Sequence, residues 1–243
     1  MKKIFLIAGL IAMISCSESS DLDELLVDNL DVKSDTVTIM DTVVVIDTVT
    51  VVDTVSVIDT LIVTDTILSE YASQSLVFMR EEEKLARDVY LFLFNTWELS
   101  IFENIAASEQ KHTDAVKNLL VQFGIQDPMT NDVAGQFEDE LLQYLYDSLT
   151  ELGSGSLAEA LHVGALIEEV DINDLDIAVG EIENADVITV YENLTKGSRN
   201  HLRSFYSNLQ NQGVTYEPQV LGEEYFYSIV NSDMENGGNG NEG

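Results

Sequence analysis

Two of the three histidines in this chain lie near acidic residues in patterns that could bind a metal ion. The six candidate ligands are Glu83, the pair Glu109 and His112, the pair Glu168 and Asp171, and His201. Residues three positions apart lie on the same face of a helix, so each pair can present two ligands together. Carboxylate and imidazole groups suit iron, manganese and zinc. The pattern therefore predicts a metal site in which the first three residues hold one ion and the last three hold a second ion or shape its pocket.

The first two candidate segments are predicted to be helices joined by a short turn. Apolar residues recur at three- and four-residue steps from about Ser73 to Trp97, which indicates one amphipathic helix. Ser100 followed by Glu103 is typical of a capping box that begins a second helix. This second helix is expected to end at Gly124, because glycine readily adopts the left-handed conformation that closes helices.

The remaining segments complete a predicted all-α fold, a four-helix bundle. Ser156 and Glu159 form another capping box, for a third helix that continues toward Ile172. A fourth helix is predicted at about 186–212. Between the second and third helices, residues 125–155 are long enough to cross from one end of a bundle to the other. Ferritin-like bundles have this connectivity, with two helices, a long crossover between helices two and three, and then two further helices.

Three short motifs resemble a known family. Residues 80–88 (REEEKLARD), 105–109 (IAASE) and 197–202 (GSRNHL) are similar to a ferritin-like family of microbial proteins known mainly as a domain of unknown function. The candidate ligands also look like the two halves of a rubrerythrin-type ferritin-like domain, and the resemblance covers about residues 76–230. It implies an iron-binding bundle that oxidises Fe²⁺ or reduces peroxide, with manganese or zinc as alternative ions.

The resemblance is incomplete in the fourth helix. Rubrerythrin-type proteins carry there a metal-bridging Glu three residues before the His, and in this chain that position is Ser198. Asp171 also stands where relatives often have a longer Glu. The expected centre is therefore either dinuclear or a mononuclear, asymmetric site. The alternative hypothesis is a non-enzymatic cell-envelope module that binds a partner and keeps a degenerate metal site.

Several other polar residues are not assigned as ligands. Glu81, Glu82 and Glu169 are predicted to face solvent, although Glu169 is a substitute ligand if its helix is rotated. His162 has no partner at ligand spacing and is expected at the helix surface or its boundary. Tyr90 is predicted to lie in the core, hydrogen-bonded near the site.

The N-terminus resembles the signal sequence of a bacterial lipoprotein. Lys2 and Lys3 precede an apolar stretch, and residues 13–16 (MISC) resemble a lipobox, in which the cysteine receives a lipid before cleavage. Residues 1–15 are therefore predicted to be a signal peptide, and Cys16, the single cysteine, the lipidation site. The alternative is an ordinary secretory signal with an incidental cysteine. The polar, acidic residues that follow resemble outer-membrane or surface lipoproteins, so the expected location is the cell envelope.

The segment before the helices has its own repeat. An Asp-Thr-Val motif or a close variant recurs every six residues, so each repeat returns to the same face of an extended strand. We interpret residues 35–70 as a β-prone stalk that follows an acidic tether at 16–34. The alternatives are a hexapeptide β-helix, for which the repeats are too few, and calcium binding by the periodic aspartates. The helical domain is predicted at 74–232 and a disordered tail at 233–243.

The net charge of the chain is −33 at pH 7. Like charge repels nucleic acid and anionic lipid surfaces, so neither is an expected partner. The expected partners are the membrane, through the lipid on Cys16, and metal cations, which this acidity suits. The sequence leaves open whether the domain forms a homodimer.

Overall fold

The computed structural model describes residues 68–236, in which α-helices are the regular elements and no β-strand occurs. The six helices are α1 (Glu70–Trp97), α2 (Ser100–Gln122), α3 (Glu140–Gly153), α4 (Leu157–Glu181), α5 (Ala185–Asn211) and α6 (Glu223–Val230). The predicted all-α class is confirmed for this part of the chain. None of its helices combines the length and the apolar character needed to cross a membrane. The predicted signal peptide, Cys16, the tether and nearly all of the repeat segment lie outside the described residues.

The ends of the long helices follow local capping rules. Ser69 caps α1, because its hydroxyl accepts a hydrogen bond from the N–H of Ala72 (3.1 Å), so α1 starts slightly earlier than predicted. Gly124 (φ 65°) and Gly213 (φ 71°) adopt the left-handed conformation just after α2 and α5. Both glycines therefore stand where the sequence predicts that these helices end.

The capping box predicted at Ser100 and Glu103 is wrong. The cap position of α2 is Leu99, which makes no side-chain cap hydrogen bond, and Ser100 is already the first helical residue. The reason is Glu98, whose left-handed conformation (φ 52°) turns the chain so sharply that the next helix begins within two residues. The sequence contains no glycine here to signal that turn.

The predicted start of α4 is confirmed, and the helix is longer than the part that the sequence predicted. Ser156 Oγ accepts a hydrogen bond from the N–H of Glu159 (3.1 Å) and donates to the Glu159 carboxylate (2.8 Å). The sequence predicted that the helix continues toward Ile172, and in the structure it runs on to Glu181, because Leu175 and Ala178 extend its buried face. α4 is therefore long enough to carry acidic residues over several turns.

The four long helices pack in two pairs that also contact each other. α1 packs along α2 and α4 along α5, while α1 also contacts α4 and α2 contacts α5. α3 lies in the connection between α2 and α4 and packs on α1 and α4. One part of the core takes apolar side chains from all four long helices, including Leu76, Leu120, Leu175 and Leu194. Burial of each such side chain stabilises the fold by about 1.5–3 kcal/mol, so this cluster fixes how the helices meet.

One face of α1 carries three buried cations that hold the segment between α2 and α3. The pairs are Arg80 with Asp127, Arg87 with Asp132, and Lys84 with the main-chain oxygens of Val133 and Gln136, at N···O distances of 2.5–3.1 Å. Buried cations require such partners, because an unpaired charge inside a protein is costly. The charges of α1 are thus divided between two faces, since Glu83 lies in the interior beside His112.

Glu169 is fully buried, so the prediction that it faces solvent is wrong. Its carboxylate accepts hydrogen bonds from the Tyr216 hydroxyl (2.6 Å) and from the main-chain N–H groups of Gln219, Val220 and Leu221. These donors make the burial of a carboxylate tolerable. They also fasten the segment that precedes α6 against α4.

The prediction that Glu81 and Glu82 face solvent is wrong as well, since they are only 9% and 8% exposed. Glu81 lies on the side of α1 that faces the segment between α2 and α3. Burial raises the pKa of Glu81 most, and the negative charge of Asp139 raises it further. His162 is half-buried, and its ring packs edge-on against Tyr216 at a centroid distance of 5.2 Å. No metal-ligand role follows for His162.

The chain beyond α6 is tied back to α5. Glu235 accepts hydrogen bonds from Arg199 (2.6 and 2.7 Å) and Arg203 (2.9 Å), and its N–H donates to the side-chain oxygen of Asn200 (2.8 Å). These contacts fall within the stretch predicted as a disordered tail, of which residues 237–243 lie outside the described part of the chain.

Candidate metal centre

Five of the six predicted ligands converge in the interior between the four long helices. They form two groups of three, and within each group the ligand atoms lie within 4.8 Å of one another. The first group is Glu83, Glu109 and His112, and the second is Glu109, Glu168 and His201. The sequence assigned Glu109 to one ion only, but the structure places it in both groups. Glu109 therefore lies where a ligand shared by two ions would be needed.

The two histidines meet across Glu109. Their rings stack with centroids 5.6 Å apart and planes inclined by 26°. Glu109 lies 2.7 Å from Nδ1 of His112 and 2.8 Å from Nδ1 of His201. Glu83 approaches His112 Nδ1 at 3.2 Å, and Glu168 approaches His201 Nδ1 at 3.4 Å. Both Nδ1 atoms thus face the same cluster of carboxylate oxygens.

Asp171 is set apart from these two groups. Its carboxylate accepts a hydrogen bond from the Ser198 hydroxyl, so an acidic group from α4 lies directly beside the position where rubrerythrin-type proteins carry a bridging Glu on the fourth helix. Asp171 is 6% exposed. The carboxylate of Asp171 is thus held by Ser198, outside the two ligand groups.

The centre contains several buried atoms that lack a hydrogen-bond partner. They are Glu83 Oε1, Glu109 Oε1, Asp171 Oδ1 and His201 Nδ1. His201 Nδ1 and Glu109 Oε1 are close, but the two are not aligned for a hydrogen bond. Buried polar atoms without partners are rare, because each costs free energy. Glu83, Glu109 and His201 belong to the two ligand groups, and their unpartnered oxygen and nitrogen atoms are of the kinds that coordinate a metal ion.

Burial and neighbouring charges shift the pKa values of the carboxylates. Burial raises the pKa of Glu83 to about 7, although the nearby His112 opposes the shift. Burial by itself would raise the pKa of Glu109, but His201 and His112 outweigh burial and lower the pKa of Glu109 below its usual range. Glu109 is therefore the carboxylate that stays ionised most firmly.

The pKa values of the two histidines are both raised, against the effect of burial. Burial would lower their pKa values, but Glu109 and Glu83 raise the pKa of His112 well above 6.5, and Glu109 and Glu168 raise the pKa of His201 to about 10. Both rings are thus protonated at neutral pH, and their charge balances the carboxylates. A divalent cation would bring equivalent charge and displace the protons from Nδ1.

Tyr90 positions one of the candidate ligands. Its hydroxyl is fully buried and donates a hydrogen bond to Glu168 Oε1 (2.6 Å). Burial and then the charge of Glu168 raise the pKa of Tyr90 well above 10, so the phenol keeps its proton. The predicted position of Tyr90 in the core beside the site is confirmed. One oxygen of Glu168 is thereby occupied, and Oε2 faces His201.

Gly197 sets the position of His112, a role that the sequence analysis missed. A Cβ atom at Gly197 would lie only 2.6 Å from Nε2 and 2.7 Å from Cε1 of the His112 ring. A glycine inside a helix costs up to about 1 kcal/mol relative to alanine. Its presence in α5, four residues before His201, was the available signal that another group approaches closely.

Gly197→Ala should therefore push the His112 ring away from Glu109 and lower metal affinity by at least about 10-fold, as changes in supporting residues of metal sites do. Gly180→Ala is the matched control, because Gly180 also lies in a long helix and nothing approaches within 4 Å of its added Cβ. Isothermal titration with Mn²⁺ would compare the metal affinities of the two variants, and thermal melting would compare their stabilities. Equal affinities for the two variants would contradict this role of Gly197.

These observations define a class of protein, an all-helical domain with a buried carboxylate and histidine centre. The chain belongs to the family described as "Uncharacterized protein domain (DUF2202)", whose model matches residues 72–233.

A particular relative is the protein MJ0754 of Methanocaldococcus jannaschii, described as uncharacterized. It is 50% identical over 172 residues, which make up 71% of this chain and 93% of that protein. The crystal structure titled "hypothetical protein MJ0754 from Methanococcus jannaschii DSM 2661" is similar with a TM-score of 0.68, and the match covers 69% of this chain and 95% of that chain. Both matches thus cover nearly the whole length of the relative and about 70% of this chain.

Proposed function

We propose that this chain is a ferritin-like metalloprotein that binds iron, or a similar ion such as manganese or zinc, and uses it for redox chemistry. The observation that carries the proposal is the pair of stacked histidines whose Nδ1 atoms both face Glu109 in the interior. The paired helices with a long connection between α2 and α4 support the ferritin-like assignment. Oxidation of Fe²⁺ and reduction of peroxide are the candidate reactions.

The donor set supports one or two ions of this class. Glu83 and His112 would hold one ion, Glu168 and His201 would hold the other, and Glu109 would contact both. Bound iron would supply the electrons for reduction of dioxygen or peroxide. The residues of the chain orient the ligands and exclude bulk water. The phenol of Tyr90 keeps its proton and donates it in a hydrogen bond to Glu168. Asp171 would complete the set from beside Ser198.

The test is metal loading of the full chain, with the double variant His112→Ala/His201→Ala as comparison. After anaerobic incubation with Fe²⁺, Mn²⁺ or Zn²⁺ and removal of free metal, mass spectrometry of the bound metal should find about two equivalents in the wild type and almost none in the variant. About one equivalent would indicate a mononuclear centre. The iron-loaded protein should then consume dioxygen or peroxide faster than the variant.

The second candidate function is a non-enzymatic envelope module with a degenerate site, and Ser198 is the residue that favours it. Wild-type protein that takes up none of the three metals would exclude the redox proposal and leave this one. We also propose that Cys16 carries a lipid that anchors the chain in the cell envelope. Cys16→Ser should then move the chain from the membrane fraction to the soluble fraction, and an unchanged distribution would contradict the anchor.

A further inference from the structure

An internal cavity of about 20 Å³ lies between α1, α3 and α4. Eight of its ten lining residues are apolar, and nearly all of its surface is carbon. The apolar lining includes Ala86 of α1, Leu142, Leu145 and Leu149 of α3, and Ile167 and Val170 of α4. The three leucines are at most 2% exposed, so buried side chains close the cavity on the α3 side.

The cavity lies beside the candidate metal centre. Its two acidic lining residues are Glu82 and Asp171. Glu82 directly precedes Glu83, a member of the first ligand group. Asp171 lies three positions after Glu168, a member of the second group, and so shares a helix face with it. The same turns of α1 and α4 thus present ligands to the centre and line the cavity.

The size and the surface of the cavity restrict what can occupy it. A volume of roughly 10–15 Å³ is enough for one water-sized species, so the cavity accepts a single very small molecule. Water in a protein interior needs about two to four hydrogen-bond partners, and a carbon surface supplies almost none. Hydrogen peroxide is disfavoured for the same reason, because burial of a hydroxyl group without a hydrogen bond costs free energy. Dioxygen is small and apolar, and it needs no such partner.

We propose that this cavity binds one molecule of dioxygen beside the metal centre, and that dioxygen rather than peroxide is the oxidant. This dioxygen site rests on the proposed function for the use of the bound gas, and not for its binding. In the proposed oxidation, one O₂ accepts one electron from each of two Fe²⁺ ions and two protons from water, and it leaves as H₂O₂.

Binding is tested on the metal-free full chain by nuclear magnetic resonance of its methyl groups. Dissolved O₂ is paramagnetic and accelerates the relaxation of nearby protons, and dissolved N₂ at the same pressure is the diamagnetic reference. The acceleration should be several-fold larger at Leu145 and Leu149 than at Leu76 and Leu120. The latter two are buried to the same degree but do not line the cavity. Equal acceleration at all four leucines would overturn the dioxygen site.

A second test fills the cavity. Val170→Ile adds one methylene group to the lining, which takes up much of so small a space. This variant should lose the extra relaxation at Leu145 and oxidise Fe²⁺ several-fold more slowly at limiting O₂, with unchanged metal content and an unchanged rate with H₂O₂. Val179→Ile is the matched control, because it makes the same change at a half-buried position of the same helix that does not line the cavity. Ala86→Val serves instead if overpacking lowers the melting temperature of Val170→Ile.

The two tests separate the dioxygen site from the proposed function. If the wild type shows the extra relaxation but takes up no metal, the dioxygen site stands and the proposed centre fails. If the iron-loaded wild type consumes O₂ without extra relaxation at Leu145 and Leu149, the centre stands and the dioxygen site fails. An unchanged rate of Fe²⁺ oxidation in Val170→Ile that has lost the extra relaxation would overturn the supply of the centre from this cavity.

Discussion

Glutamine in place of Glu109 should reduce metal binding at the centre by at least about 100-fold, more than any other single change there. Glu109 is the one residue common to both ligand groups, and it lies within 2.8 Å of Nδ1 of both histidines. The amide has the same shape as the carboxylate but carries no charge. Both ions would therefore lose a ligand, and the positive charge of the site would lose its most firmly ionised partner.

The measurement is metal content by mass spectrometry after loading with Fe²⁺ or Mn²⁺ and dialysis. Glu103→Gln is the control, because it makes the same chemical change on the exposed face of the same helix. The control should bind metal like the wild type. Full metal content in Glu109→Gln would show that the two ligand groups do not act as one centre.

The stability of the metal-free domain should fall as the pH rises from about 6 to about 9, and bound metal should reverse this trend. A group whose pKa is raised by folding stabilises the folded state below its unfolded pKa and loses that contribution as the pH rises through the folded value. His201 loses its contribution between about 6.5 and about 10. Glu83 and Asp174 lose theirs from their ordinary acidic range up to about 7. Because the pKa of Glu109 is lowered, its titration changes the stability only in stronger acid.

The expected loss of stability is on the order of several kcal/mol, which corresponds to a melting temperature lower by roughly 10 °C at pH 9 than at pH 6. With Mn²⁺ present the melting temperature should instead increase with pH, because the ion competes with protons for the same Nδ1 and carboxylate atoms. Glu109→Gln should show a shallower dependence, since Glu109 contributes most to the raised pKa of His201. A constant melting temperature of the metal-free wild type across this range would contradict the assignment.

Local sequence rules predicted much of this fold because the relevant contacts are close in the chain. Gly124, Gly213 and Ser156 act on helix ends through their own backbone or a residue three positions away. The ligand pairs were visible for the same reason, since Glu109 and His112 are three residues apart on one helix.

The missed features depend on contacts between distant segments. Glu169 is buried because Tyr216 and the N–H groups after it, about 50 residues later, supply its donors. The sequence showed Ser198 only as a position without a carboxylate, whereas in the structure its hydroxyl donates a hydrogen bond to Asp171, 27 residues earlier. No periodicity in one helix can reveal which groups face it from another. Charged residues are therefore the ones whose burial the sequence predicted least well.

Glu168 and Glu169 are consecutive in α4, yet Glu168 faces the candidate metal centre and Glu169 is held by the segment before α6. The same helical turn is thus clamped from both sides. A fragment that ends before Tyr216 would leave the carboxylate of Glu169 inside the protein without its donors and would free the turn that presents Glu168. The C-terminal residues are therefore part of the scaffold of the centre, and studies of metal binding by a shortened chain need to retain them through Glu235.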